Sequence, residues 1–319
     1  MDIPQEMVDA LPALGAEVLP LDGVNGMDIG LDPFGEPAIR LLVTDPDDPP
    51  GGLPGSFAGF PVILVAGTPI TEAVTPDAGK HAPVLGGIQL GRREIVGGLA
   101  TTGTLGCVLR DGFSGEPVAI SNAHVLLGDI TSGGFAVGDV IQQPAPTTDP
   151  PPTAERLGTL LRWRFPDTPA LFPSPGSGGV SGFWDAAVCS IDEGRGASVG
   201  EIAEIGTVTG IGTARLGETV RKRGHRTLLT FGTVVGLFGS YAVWDSNGAF
   251  QWWMLGQIAI DVIDDASLNP DGIWSNSGDS GSVVVNEANE IIGLHHAGDA
   301  TTGYASDFGP LALALDITL

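Results

Sequence analysis

Short apolar runs separated by turn residues set the character of this chain. Residues 118–120, 188–191, 233–237, 283–285 and 290–294 are each too short to give a helix a buried face, and Gly, Pro, Asp and Ser fill the gaps between them. Runs of this length and spacing predict strands of a sandwich or barrel. Sustained helical periodicity is hard to find, and residues 7–18 alone predict a short helix. After that helix, residues 38–43 and 60–65 read as strands on either side of a Pro/Asp loop at 45–54. Residues 1–82 therefore predict a small α/β module, residues 83–98 a linker and entry, and residues 99–319 a β-rich remainder. The Pro-rich 142–154 and Gly/Ser/Pro-rich 172–181 stretches predict surface loops.

Composition sharpens this picture. The 319 residues include 49 Gly and 25 Pro, with only 16% charged residues, which suits many short strands and tight turns. The net charge of −24 disfavours nucleic acid and anionic membranes as primary partners, since phosphate binding needs a basic footprint. The acidic start Met1-Asp2-Ile3-Pro4-Gln5-Glu6 lacks the pattern of a cleaved signal peptide, so a cytoplasmic location is expected. The longest apolar stretch, 57–70, is broken by Gly59, Pro61, Gly67 and Pro69, and no transmembrane helix is expected. Cys107 and Cys189 both sit inside apolar runs. They are expected as free core thiols, in keeping with a reducing compartment, although a long-range bridge stays open.

Candidate chemistry enters with Gly278-Asp279-Ser280-Gly281-Ser282, placed just before the apolar run at 283–285. Glycines on both sides of a serine allow a tight turn, leave room for a substrate carbonyl, and can aim the amides of Gly278 and Ser280 at a developing oxyanion. Such residues are also common in plain turns, so the reading depends on partners. A serine hydroxyl needs a base to take its proton. His124 is the candidate, at the end of the apolar 117–120 run and the small residues Ser121-Asn122-Ala123. A carboxylate must then hold the imidazole tautomer, and Asp185 suits that role at the mouth of the run Ala186-Ala187-Val188. The order His124, Asp185, Ser280 is the chain order of the chymotrypsin class of triads.

Ser121-Asn122-Ala123-His124, Trp184-Asp185-Ala186-Ala187 and Gly278-Asp279-Ser280-Gly281-Ser282 together resemble the three catalytic blocks of chymotrypsin-like, or trypsin-fold, serine peptidases. Three further blocks, at 103–108, 222–234 and 293–298, resemble a bacterial trypsin-like branch related to the plant narrow-leaf proteases. The resemblance spans about residues 84–319. It departs from the branch at His225, where arginine is usual. It implies a mainly β, two-barrel chymotrypsin-like fold, with a first barrel at about 99–195 carrying His124 and Asp185 and a second at about 200–319 carrying Ser280. A module comparable to residues 1–82 often precedes the peptidase in that branch.

The resemblance also implies a substrate pocket. Gly293-Leu294-His295-His296-Ala297-Gly298 looks like the strand that lines the primary specificity pocket, and is similar to the GIHxGG stretch of staphylococcal-type glutamyl endopeptidases. On that match His295 is the residue that would contact a substrate glutamate, Ser275 supplies a pocket hydroxyl, and Gly298 closes the stretch. A histidine is favoured in its charged form by a carboxylate, so acidic P1 residues are one expectation and small apolar ones the other. Trp274, where a trypsin-like pocket would carry an acid, gives no basis for a basic P1.

Arg221, Lys222, Arg223 and Arg226 place four of 14 basic residues within six positions. They suit an anion or nucleotide effector, or a hairpin whose charges balance the acidic surface or a neighbouring subunit of a homo-oligomer. Ile95-Val96-Gly97-Gly98 resembles the new N-terminus of activated trypsin-like enzymes, whose amine would pair with Asp279, but only 29 residues separate Ile95 from His124. The expected function is a serine endopeptidase acting on protein or peptide substrates, with no metal or organic cofactor. A catalytically silent scaffold or binding protein, and an esterase with the same triad, are the alternatives.

Overall fold

The structure, a computed structural model, describes residues 3–67, 77–93, 101–128, 130, 133–147, 153–170, 172, 179–244, 248–299 and 301–319. It is mainly β. The expected strands are present, several of them longer than the apolar runs that predict them, and the helix spans Gln5–Val18.

The first barrel follows the pairing Cys107–Asp111, Pro117–Ser121, Ala186–Ser190, Arg156–Arg164, Val140–Gln142, Ile88–Arg92, Gly103–Leu105. Its two end strands are one run bent at Gly106, so the sheet returns to its start. A side chain at Gly106 would put Cβ 2.4 Å from the Gly281 carbonyl, so this bend lies directly against the 278–282 turn. The interior is apolar: Leu90, Leu105, Val108, Leu126, Leu157 and Cys189 are buried together. Cys107 and Cys189 are both free and buried, and burial pushes each thiol up to about 12.

The second barrel closes through six strands, Thr219–Gly224, Leu228–Trp244, Phe250–Val262, Thr302–Asp307, Glu290–Gly298 and Val283–Asn286, with the last pairing the first. Between the barrels lies a third apolar layer. Leu109, Ile120 and Val188 from one side meet Val285, Ile291 and Leu294 from the other, under the C-terminal helix Phe308–Ala314. This layer holds the two faces of the cleft in register.

The hairpin Leu228–Trp244/Phe250–Val262 is longer than its barrel needs. Its overhang carries residues 24–66: Val24–Leu31 pairs with it at Gly26↔Tyr241 and Gly30↔Gly236, and Pro37–Val43 and Phe60–Ala66 follow in order. Residues 24–66, within the stretch expected as a small module, thus share one continuous sheet with the second barrel. The Gln5–Val18 helix closes this extension by burying Met7, Leu11, Leu14 and Val18 against Met27, Ile29 and Trp253. Inside the extension, Asp28 takes a two-pronged ion pair from Arg40 at 2.6 and 2.7 Å and a hydrogen bond from the Tyr241 hydroxyl. The same overhang receives Val180–Gly182, which pairs with Trp253–Met254 and leads straight to Asp185. Among the described residues no helix is long and apolar enough to cross a membrane.

Candidate active site

The strand Pro117–Ser121 ends in a one-turn helix, Ala123–Leu127, which turns His124 toward the cleft. The side chain of His124 keeps 23% exposure while its neighbours Ala123, Val125 and Leu126 are buried. Asp185 lies at the start of the adjacent strand, Ala186–Ser190. Its two oxygens divide the work: Oδ2 accepts from His124 Nδ1 at 2.5 Å, and Oδ1 accepts from the His124 amide at 3.0 Å. An ionised carboxylate can only accept, so Nδ1 carries the proton and Nε2 keeps its lone pair. Asn122 donates to the Asp185 carbonyl at 2.6 Å and fixes the same segment from behind. Burial alone would push the Asp185 carboxyl up. The His124 charge and hydrogen bonds outweigh it and hold the group below the usual carboxylate range.

Ser280 sits on the turn before Val283–Asn286, partly exposed. The turn is tied on three sides. Gly281 N donates to the His295 carbonyl at 2.9 Å, Ser282 N donates to the Asp279 carbonyl at 2.9 Å, and Thr104 N donates to the Ser280 carbonyl at 2.8 Å. It also abuts the segment that carries the histidine: a Cβ at Gly281 would lie 2.2 Å from Ser121 Oγ and 3.2 Å from Asn122 N. The Ser280 hydroxyl donates to the His296 carbonyl at 3.4 Å, a long contact that leaves the group available to a base. Ser280 and His124 share no hydrogen bond in this structure, and a contact between a hydroxyl and its base is often long until substrate binds.

The amides of Gly278 and Ser280 donate to no acceptor among the described residues, whereas Asp279 N, between them, donates to Asn276 O at 2.9 Å. Gly278 has φ +103°, in the region that favours glycine. Two unpaired N–H groups two residues apart on the nucleophile turn are what an oxyanion requires.

Asp279 points the other way, into the second barrel. Lys222 Nζ at 2.9 Å, Thr227 Oγ1 at 2.6 Å and the amides of Arg226, Thr227 and Asn276 all donate to its carboxylate. Burial would raise this group, but the Lys222 charge leads the opposing effects and lowers it to about 2. Three of the four cations of the basic cluster are engaged within the fold, Lys222 by Asp279. Arg223 pairs with Asp77 and Glu204, and Arg221 donates to the Asn286 carbonyl and the Asn289 side chain. The Ile95–Gly98 stretch lies outside the described residues.

The three pocket residues expected from the resemblance fall close to one another. A Cβ at Gly298 would lie 3.1 Å from Ser275 Oγ. His295 is buried, stands edge-on to Trp274 with ring centroids 6.4 Å apart, and leaves Nδ1 without a hydrogen-bond partner. Burial and then the nearby Lys222 charge hold His295 well below its ordinary pKa, so it is neutral. Trp274 is fully buried, with Lys222 Nζ 5.2 Å from its ring and Gly303 against its indole nitrogen.

Two elements of the site carry no sequence signal. Gln257, on the long hairpin, faces His296 Nε2 at 2.9 Å and donates to the Phe183 carbonyl at 2.9 Å, linking the pocket strand to the segment before Asp185. A groove of about 710 Å3, lined in part by Phe135, Trp163, Phe165, Phe183 and Trp184, runs from beside Asp185 along the first barrel.

No family model matches the chain. No curated protein is similar to it in sequence. Solved structures do resemble it in fold. Protease A of Thermobifida fusca aligns at 15% identity with a TM-score of 0.48, covering 74% of this chain and 97% of its own. A Nocardiopsis protease aligns at 17% and 0.48 over the same shares. A Cellulomonas bogoriensis chymotrypsin aligns at 18% and 0.47, again over 74% and 97%.

Proposed function

We propose that this chain is a serine endopeptidase in which Ser280 is the nucleophile, His124 the general base and acid, and Asp185 the group that orients His124. The observation that carries this reading is the two-oxygen grip of Asp185 on His124, which fixes the Nδ1–H tautomer beside a serine turn with two unpaired amides. In the first step the Ser280 oxygen attacks the scissile carbonyl carbon while Nε2 of His124 takes its proton. The amides of Gly278 and Ser280 receive the negative oxygen, an interaction of about 2.7–4 kcal/mol per donor. The imidazolium then returns its proton to the leaving amine, the C–N bond breaks, and an acyl-enzyme remains. Water, deprotonated by His124, hydrolyses that ester and restores Ser280. Every group in this sequence is a side chain or amide of the chain itself.

A peptide with an acidic P1 residue is the substrate class we assign. Ser275 and Gly298, which the resemblance assigns to the pocket, stand side by side, and the unpaired Nδ1 of buried His295 is a polar atom with an unmet hydrogen bond, which supports this reading. Charging His295 against Lys222 is costly, so the acidic side chain would draw its proton in with it, or be met by neutral donors.

Fluorophosphonate labelling tests the first claim. The expected result is stoichiometric modification of the wild type at Ser280 and none of Ser280→Ala; equal behaviour of the two leaves a silent scaffold. Digestion of a denatured protein mixture tests the second, since absence of Asp and Glu enrichment at P1 would sink it. Turnover of simple esters with no peptide cleavage would favour the esterase.

A further inference from the structure

Gly278 poses a mechanical problem. A glycine at φ +103° can reorient its flanking peptides at little cost, yet its N–H must stay aimed into the cleft for an oxyanion to be held. Glycine has no side chain of its own to enforce this. The neighbouring contacts supply what it lacks.

Thr104 comes from the strand Gly103–Leu105 of the first barrel, and its hydroxyl donates to the Gly278 carbonyl at 2.8 Å. The carbonyl can only accept, so the single hydroxyl proton is spent there. The two remaining lone pairs of Oγ1 face His225: the His225 amide donates at 3.0 Å, and His225 Nδ1 lies at 3.2 Å. With the hydroxyl proton already committed, Nδ1 must be the donor. The hydroxyl is then fully satisfied, with one bond given and two received. His225 also backs the glycine directly, since a Cβ there would lie 2.5 Å from Cε1 of its ring and 3.0 Å from Nε2. The main chain of Thr104 reaches the rest of the site: its amide donates to the Ser280 carbonyl at 2.8 Å, and its carbonyl accepts from Ser121 Oγ at 2.7 Å, three residues before His124.

We infer that Thr104 and His225 are positioning residues that clamp Gly278, carbonyl tied and Cα backed, so that its N–H stays turned into the oxyanion site; the inference rests on Ser280 as nucleophile. The clamp bridges the barrels, because Thr104 belongs to the first and Gly278 and His225 to the second. Alignment of the oxyanion site is therefore coupled to alignment of the His124 segment. Burial lowers His225 to about 4, so the neutral Nδ1–H form is the one present at neutral pH.

The test uses the full chain with Thr104→Val, which keeps the shape and removes the hydroxyl, and Thr104→Ser, which restores it. Kinetics on a chromogenic peptide are measured alongside crystal structures of wild type and variant. The expected result is that Thr104→Val loses roughly 10²-fold in kcat with KM little changed, that Gly278 reorients, and that Thr104→Ser recovers most of the loss. A purely packing role would not produce that split or that rescue. Unchanged kcat with Gly278 in place overturns the clamp, as does a loss that serine does not restore. Should Thr104→Val fail to fold, His225→Leu removes the Nδ1–H donor from the other side: a kcat loss at constant KM supports the clamp, and wild-type kcat overturns it. If wild type is not labelled at Ser280 yet Gly278 reorients in Thr104→Val, the nucleophile reading falls and the clamp stands.

Discussion

Lys222 Nζ lies 2.9 Å from Asp279 Oδ2, and neither side chain reaches solvent. The residue before Ser280 thus finds its countercharge within the chain, on a strand of the same barrel. A cleaved N-terminal amine is not needed to balance Asp279. Removing one partner of a buried ion pair strands the other charge. Lys222→Met is expected to cost about 3–5 kcal/mol in chemical denaturation and to abolish phosphonate labelling of Ser280. Retained labelling at wild-type stability would show that the pair does not support the turn.

Gly278→Ala tests the turn from within. The new methyl would meet a strained φ and the His225 ring together, so the turn must shift. Stability is expected to fall by about 1–3 kcal/mol from the backbone alone. Loss of the oxyanion donor is expected to lower kcat by roughly 10²–10³-fold. Active-site titration separates the two effects, since it counts folded sites whatever their turnover.

Much of this site was legible because it is written in short, local blocks. Small residues before His124, one acid at a strand mouth, and a glycine-flanked serine each need only a few neighbours to be read. The barrels were legible for the same reason, as apolar runs between turn residues. What could not be read is what depends on distant partners. Lys222 looks like one cation in a basic hairpin, and only the antiparallel pairing of Thr219–Gly224 with Val283–Asn286 brings it under Asp279. Thr104 is an ordinary strand residue until the Gly106 bend lays it across the cleft. Val24–Leu31 went unread because its Asn, Gly and Asp residues mask the strand pattern. Yet Asp28 is fully buried by Arg40 and Tyr241, which are 12 and 213 residues away. The extent of the long hairpin was hidden too, since seven glycines and serines interrupt the apolar runs of 228–262.

Asp185→Asn is a nearly isosteric change that leaves the strand intact but offers His124 Nδ1 an amide in place of a carboxylate. The amide can present a donor there, which favours the wrong tautomer. The expected loss in kcat is roughly 10⁴-fold at neutral pH. Stopped-flow acylation should show the deficit in the first step, and a loss confined to KM would count against the orienting role.

Buried histidines make the stability of this fold depend on pH in a defined direction. Burial lowers His225 and His296 to about 4 and also holds His295 well below its ordinary value. In the unfolded chain each titrates near 6.5. Between those values the unfolded state binds more protons than the folded one, so stability falls as pH drops from about 6.5 to about 4. The His225 and His296 shifts are each worth on the order of 3 kcal/mol at their limit. Asp279 acts in a lower window, because its pKa falls to about 2 on folding: its contribution is present above about 3.9 and is lost as pH falls toward 2. Denaturation curves from pH 7 to 5 are therefore expected to show a fall in stability led by these imidazoles, with net proton uptake on unfolding at pH 5, while Asp261, Asp307 and Glu218, each raised by burial, act in the opposite sense. A flat profile between pH 7 and 5 would mean that these imidazoles are not held neutral in the fold.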